Sequence, residues 1–203
     1  MITVENQLFS LHTRHTSYLF RVMETGHLEH LYYGRKIHPA IDGLMEQHAF
    51  APGNTNIYDS EHLQFSLEDA CLEMSSFGKG DIREPFVELT LSDGSETSDF
   101  LFEKFEQGTG KEEFETLPGS YDESGEVEWL GVTLRDKNSG VILELHYYVY
   151  EDCDVITRSA KLINESGDVV KLNRLMSLQL DLEPSDYCLL YTSDAADDRI
   201  SVD

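Results

Sequence analysis

The chain has 203 residues, 39 of them acidic and 15 basic, for a formal net charge of −24. Such a surface repels phosphate backbones and anionic lipid over a Debye length, which argues against nucleic-acid and membrane partners. With 40% hydrophobic and 27% charged residues, the composition is that of a soluble globular protein long enough for one well-cored domain.

Three cysteines, Cys71, Cys153 and Cys188, form no C-x-x-C pair and are odd in number. That is neither a disulfide framework nor a zinc ribbon. The first residues lack a basic segment leading into an apolar run, and no apolar run approaches about 18 residues, so a cytoplasmic location is expected.

Strand signals dominate in chain order. Residues 7–13 (QLFSLHT) alternate, 17–23 (SYLFRVM) are aromatic and apolar, and a strand resumes at 27–33 after the turn Glu24-Thr25-Gly26, predicting a hairpin. His27 and His30 stand three apart in that hairpin, a spacing that sends strand side chains to opposite faces. They are read as surface or cross-strand histidines, not as metal ligands. Residues 37–62 lose periodicity, and a loop this long inside a domain tends to be functional or disordered. It carries Asn54, Asn56, Tyr58 and Asp59, side chains that can bind hydroxyls or stack on a sugar face. Residues 67–74 allow a short helix capped by Ser66, or an extended crossing.

The most shaped stretch is SFGKGDIREPFVELTL, residues 76–91. Gly78 and Gly80 permit positive φ, Asp81 and Arg83 can pair locally, and Pro85 disfavours helix before it. The reading is a structural turn feeding a strand at 86–91. Ser92-Asp93-Gly94 then predicts a hairpin turn into a strand at 99–105, and residues 107–126 read as connecting loops. Strands at 127–136, 141–150, 155–163 and 169–182, with a turn between each pair, predict a four-stranded antiparallel meander in one sheet facing a second. In the second of these strands Leu143, Leu145, Tyr147 and Val149 share an apolar face, while Glu144, His146, Tyr148 and Tyr150 share an amphipathic one. Packing between two sheets is expected to bury both faces.

Carboxylates two apart, Asp152 with Asp154 and Glu126 with Glu128, are expected to be solvated faces in so acidic a chain. No catalytic residue, metal ligand or cofactor site is assigned; nucleophile-elbow, P-loop and dinucleotide motifs are all missing.

Three motifs in order, HLYYGRKI at 30–37, GKGDIREP at 78–85 and YYVYEDCDVITRSAKLIN at 147–164, resemble the amino-terminal domain of glycoside hydrolase family 36, the bacterial α-galactosidases. The likeness runs from about Leu8 to Tyr187. It implies an all-β fold, an antiparallel two-sheet β-supersandwich similar to galactose mutarotase and here incomplete, over residues 1–187. Residues 188–203 depart from the pattern and are expected to be a non-native or unstructured tail. The resemblance also implies a parent enzyme that hydrolyses terminal α-galactosyl residues of melibiose- or raffinose-type oligosaccharides. In the family two aspartates of a following barrel act in a retaining mechanism. This fragment lacks them and is expected to be inactive alone, without a cofactor. Family tetramers lend a loop of this domain to a neighbouring subunit's substrate pocket. Here the loop's turn is Ala49-Phe50-Ala51-Pro52, and the family's acidic and basic contacts are replaced by Gln47 and Leu63. Gln47, Asn54, Asn56 and Tyr58 are then the substrate-binding candidates. The alternative is a free-standing carbohydrate-binding or mutarotase-like module. A mutarotase couple of His146 with Glu144 is not expected, on the reading that the two face oppositely.

Overall fold

The computed structural model describes residues 1–38, 44, 57–112, 119–123 and 125–181. Four strands, β1 (Ile2–Glu5), β2 (Leu8–His12), β3 (Thr16–Val22) and β4 (Leu28–Arg35), form a first antiparallel meander. A second meander contains β6 (Phe100–Thr109), β7 (Glu128–Asp136), β8 (Ile142–Tyr150) and β9 (Val155–Ile163). Between these in sequence lies β5 (Val87–Thr90), which pairs antiparallel with β10 (Lys171–Leu175). The fold is an all-β sandwich, as expected from the strand patterning.

Local chemistry explains most of these boundaries. β1, not anticipated from the sequence, is joined to β2 through Asn6 and Gln7 at φ +49° and +62°, the left-handed pair that a tight hairpin needs. In β8 the odd positions Leu143, Leu145, Tyr147 and Val149 are all at most 2% exposed. They meet Leu130, Val132 and Leu134 of β7 and, across the sandwich, Phe9, Leu11, Tyr18 and Phe20 of the first sheet. Phe20 stacks on Phe9 at 4.7 Å and on Tyr147 at 5.1 Å, so three rings run continuously from one sheet to the other.

Two bulges change which side chains face this core. In β6 the register shifts between Phe102 and Lys104, so Phe102 and Phe105, three apart, both reach Phe9. Lys104, Glu106 and Gly108 are thereby turned to the outer face. In β4 the shift opposite Leu19 and Phe20 sets His30 across from Phe20 and Tyr33 across from Tyr18.

Several expectations need correction. The last strand does not continue the meander. β7, β8 and β9 are contiguous as predicted, but β10 crosses to β5, and the meander's other edge is β6. The Ser92-Asp93-Gly94 turn is real, with Gly94 N–H donating to Leu91 O at 3.0 Å, yet it joins no hairpin because β5 and β6 belong to different sheets. Residues 67–74 form only a one-turn 3-10 helix, Leu67–Asp69, and Ser66 makes no side-chain cap bond. β6 runs on to Thr109, inside the stretch read as loop. The outer face of β8 is not covered by a second sheet; it borders an open depression described below. Residues 188–203 lie outside the described residues.

Among the described residues Glu73 is a fully buried carboxylate, in the irregular segment after the 3-10 turn. Its Oε1 accepts from the Tyr18 and Tyr147 hydroxyls, each at 2.7 Å, and lies 2.8 Å from Nη1 of Arg158. His30 Nδ1 stands 3.3 Å from the other oxygen. The Arg158 contact acts as an ion-pair attraction, since its Nη1 is not aligned as a hydrogen bond. Burial opposes the Glu73 charge, but Arg158, His30 and Tyr18 together outweigh it and hold the carboxyl below the usual carboxylate range. A buried pair that loses one partner leaves the other charge uncompensated, so Glu73→Gln is expected to cost about 3–5 kcal/mol. The folded pKa is depressed. The contribution is therefore complete above the unfolded carboxyl's value near 4.5 and is lost as pH falls through the folded value. Urea midpoints of wild type and Glu73→Gln should differ widely at about pH 7 and converge as the pH is lowered below the unfolded carboxyl's value. A gap that stays constant would remove the carboxylate charge as its cause.

Candidate functional site

Gly78 and Gly80 adopt φ of +90° and +86°, and a Cβ on Gly78 would lie 2.5 Å from the Thr97 hydroxyl, so only glycine fits there. The two glycines deliver Asp81 and Arg83 to one another. Arg83 donates from Nε and Nη2 to the two Asp81 oxygens at 2.9 Å each, a fork-to-fork pair. Its remaining N–H groups go to Leu67 O at 2.8 Å, Ala70 O at 2.8 Å and Asp181 at 2.6 Å. All five guanidinium donors are spent within the protein. This turn, ending at Pro85 before β5, is a clasp that ties Leu67, Ala70 and Asp181 to Arg83.

A second buried carboxylate, Asp99, meets Tyr58 at the described end of the long loop. His27 Nε2 lies 3.0 Å from it, the Tyr58 hydroxyl donates to it at 2.8 Å, and Lys79 of the glycine turn stands 3.7 Å away. Burial works against ionisation of Asp99, but the bonds from His27 and Tyr58 and the charge of Lys79 hold it below its usual range. Burial also pushes the Tyr58 phenol up, and the bond to Asp99 adds to the effect. His27 packs edge-on against Tyr58 at 4.8 Å, and the Lys79 ammonium covers the same ring at 4.9 Å. Tyr58 is 7% exposed and so anchors the end of the loop, its hydroxyl turned inward. Gln47, Asn54 and Asn56 lie outside the described residues; Leu63 is exposed.

The two histidines do part company, His27 toward Asp99 and His30 toward Glu73. They are not surface residues, however. Both are buried against carboxylates, because β4 is covered by the segment around residues 71–73 on one side and by Tyr58 near its start. Asp152 pairs with Arg14, and Asp154 accepts from Thr13 at 2.8 Å while its other oxygen meets His15 at 2.7 Å. Glu128 accepts from the Ile2 amide. These contacts hold the first strands to the second sheet and include no facing carboxylate pair. Among the described residues no group of three or more His, Cys, Asp or Glu side chains is placed to hold a metal.

The remaining candidate is a depression of about 490 Å³ on the outer face of the second sheet, bordered by Trp129, Gly131 and Thr133 of β7, Glu144, His146 and Tyr148 of β8, and the β6 end. His146 Nε2 lies 3.3 Å from Glu144 Oε2. The expectation that these two face oppositely is therefore wrong: positions two apart in a strand project to the same side.

A family model described as the glycosyl hydrolase family 36 N-terminal domain matches residues 26–193. The chain belongs to this family. AgaSK, the bifunctional α-galactosidase/sucrose kinase of Mediterraneibacter gnavus, is 30% identical over 191 residues, covering 91% of this chain and 20% of that protein. α-Galactosidase AgaA of Geobacillus stearothermophilus is 30% identical over 192 residues, covering 90% and 25%. Among solved structures, the α-galactosidase from Lactobacillus brevis superposes with a TM-score of 0.83 at 34% identity, over 89% of this chain and 25% of that one. A variant of AgaA in complex with raffinose superposes with a TM-score of 0.80 at 30% identity, over the same shares. The chain spans a fifth to a quarter of the length of these relatives.

Within this family 36 domain the sequence-derived residues divide by position. Tyr58 joins the Asp99 cluster and Gly78 to Pro85 form the clasp, while Glu73, Asp99 and Arg158, which organise the interior, were not singled out. Their signal was faint: charged residues at positions where strand or crossing neighbours are apolar, as Arg158 is between Ile156 and Ala160. Tyr58→Phe removes one buried donor from Asp99, and a loss of about 1–2 kcal/mol in unfolding free energy is expected by urea titration. Unchanged stability would mean that the hydroxyl does not anchor the loop.

Proposed function

We propose that this chain is the amino-terminal sandwich domain of a retaining α-galactosidase that hydrolyses terminal α-galactosyl residues of melibiose- or raffinose-type oligosaccharides. What carries this reading is the agreement of sequence and fold with α-galactosidases along nearly the whole chain. The raffinose-bound relative supports the substrate class. Catalysis is assigned to the part of the parent protein outside this domain, since the chain spans only a fifth to a quarter of the α-galactosidases it matches. The domain's role is to lend residues 50–59 across a subunit boundary of a tetramer, with Gln47, Asn54 and Asn56 meeting substrate hydroxyls. The clasp of Arg83 and the Asp99 cluster support this by anchoring both the turn beside the loop and the loop's end at Tyr58. The Cys153 thiol is compatible with a reducing, cytoplasmic setting.

Two outcomes test the proposal. The 203-residue chain should give no turnover of a nitrophenyl α-galactoside, and the full-length parent should cleave it. In that parent, Asn54→Ala should lower kcat/KM by about 1–3 kcal/mol of transition-state stabilisation with assembly intact. Kinetics within error of wild type, with tetramers unchanged, would reduce the loop to a connector.

A further inference from the structure

The outer face of the second sheet has a feature that nothing in the interior requires. Trp129 of β7 stands directly across from Gly108 of β6 and two positions before Gly131. A Cβ on Gly108 would lie 2.8 Å from the indole Nε1, and one on Gly131 would lie 3.5 Å from the ring's far edge. Both ends of the indole therefore rest on backbone without side chains, and the ring reclines across the sheet instead of standing up from it. A reclining tryptophan presents a face. The bulge in β6 is what brings Gly108 to this side, so the platform depends on the same register shift that turns Phe105 toward Phe9.

Hydrogen-bonding groups rim the platform. Glu144 and His146 stand beside it 3.3 Å apart, and Lys161 approaches Glu144 at 3.4 Å. Tyr148, the cross-strand neighbour of Trp129, lies under the Lys111 ammonium at 5.4 Å. A partly exposed aromatic face flanked by a carboxylate and an imidazole matches a pyranose, whose axial C–H groups form an apolar face and whose hydroxyls radiate from the edge. Dispersion against the ring supplies contact, and Glu144 and His146 supply an acceptor and a donor for neighbouring hydroxyls. The depression, about 490 Å³, has room for one or two sugar rings.

Charge narrows the class. Among the described residues the depression's border holds Lys104 and Lys111 with Glu106, Glu112 and Glu144. Lys104 is paired with Glu106 at 2.8 Å and Lys161 with Glu144 at 3.4 Å, so these charges largely offset one another. An anionic ligand would find no unpaired cation supplied by those pairs and would enter against the chain's overall −24 charge. We propose that the Trp129 platform, with Glu144 and His146, is a binding site for a neutral pyranoside.

Trp129 is the chain's single tryptophan, so its emission reports the site directly. Titration of the 203-residue chain with galactose, melibiose and raffinose should give a saturable change in emission for at least one of them. Glu144→Gln should weaken the apparent affinity about tenfold, the size of one lost charge-assisted hydrogen bond. Trp129→Ala, followed by calorimetry, should abolish binding while the far-ultraviolet dichroism stays that of wild type. Emission that never saturates with any of the three sugars would overturn the proposal, as would binding that survives both substitutions. Tighter binding of galacturonate than of galactose would overturn the choice of a neutral ligand. Because binding is read on the chain alone, the result is independent of whether the parent protein hydrolyses α-galactosides.

Discussion

The two sheets meet around one buried charge. Glu73 enters the core from a segment with no regular structure of its own, held to the first sheet by Glu73 N–H to Leu28 O at 2.9 Å and by His30 N–H to Cys71 O at 2.7 Å. Past it the same segment bridges to β5 at Val87. The carboxylate collects a phenol from each sheet, Tyr18 and Tyr147, and the Arg158 guanidinium from β9, which also donates to the Glu73 carbonyl at 2.9 Å. Apolar contact alone would let two sheets slide over one another. A charge that has left water tolerates few alternatives, so this cluster fixes which residues of the sheets are opposed.

Arg158 ties that polar centre to its apolar surroundings. Its guanidinium lies 5.2 Å from the Phe86 ring and 5.3 Å from the Tyr147 ring, so it contacts the start of β5 and the middle of β8 together. Burial would depress its pKa, but Tyr147, Glu73 and Tyr18 hold it above the usual arginine value. The stacked series Phe9, Phe20 and Tyr147 then fills the space on the other side. Polar and aromatic contacts reinforce each other at one point in the sandwich.

Two smaller clusters repeat the device at the periphery. Asp99 and Arg83 each draw loops together, the first through His27, Tyr58 and Lys79, the second through Asp81, Asp181 and two backbone carbonyls. Lys79 and Arg83 belong to one glycine-shaped turn, which links both clusters. The loop's described end is therefore held by charge and hydrogen bonding as well as by the apolar cluster of Tyr58 with Leu67, Ala70 and Leu72. The face carrying Trp129 lies on the far side of the second sheet and takes no part in this packing.

The sequence by itself determined the class of the fold. Alternation in residues 141–150 placed Leu143, Leu145, Tyr147 and Val149 inward, the turn at 78–85 was legible in its two glycines, and three ordered motifs pointed to family 36. Only the tertiary structure decided which strands share a sheet, because β10 and β5 are separated by the whole second meander and local alternation carries no information on distant pairing. The bulges at Phe102 and opposite Phe20 were equally hidden. One inserted residue reverses the facing of everything beyond it, and that reversal sets Tyr33 across from Tyr18 and brings Gly108 beneath Trp129. The buried carboxylates were out of reach for the same reason, since their partners lie 55 residues away for Tyr18 and 74 for Tyr147, and a charge is recognised as interior only once those partners surround it.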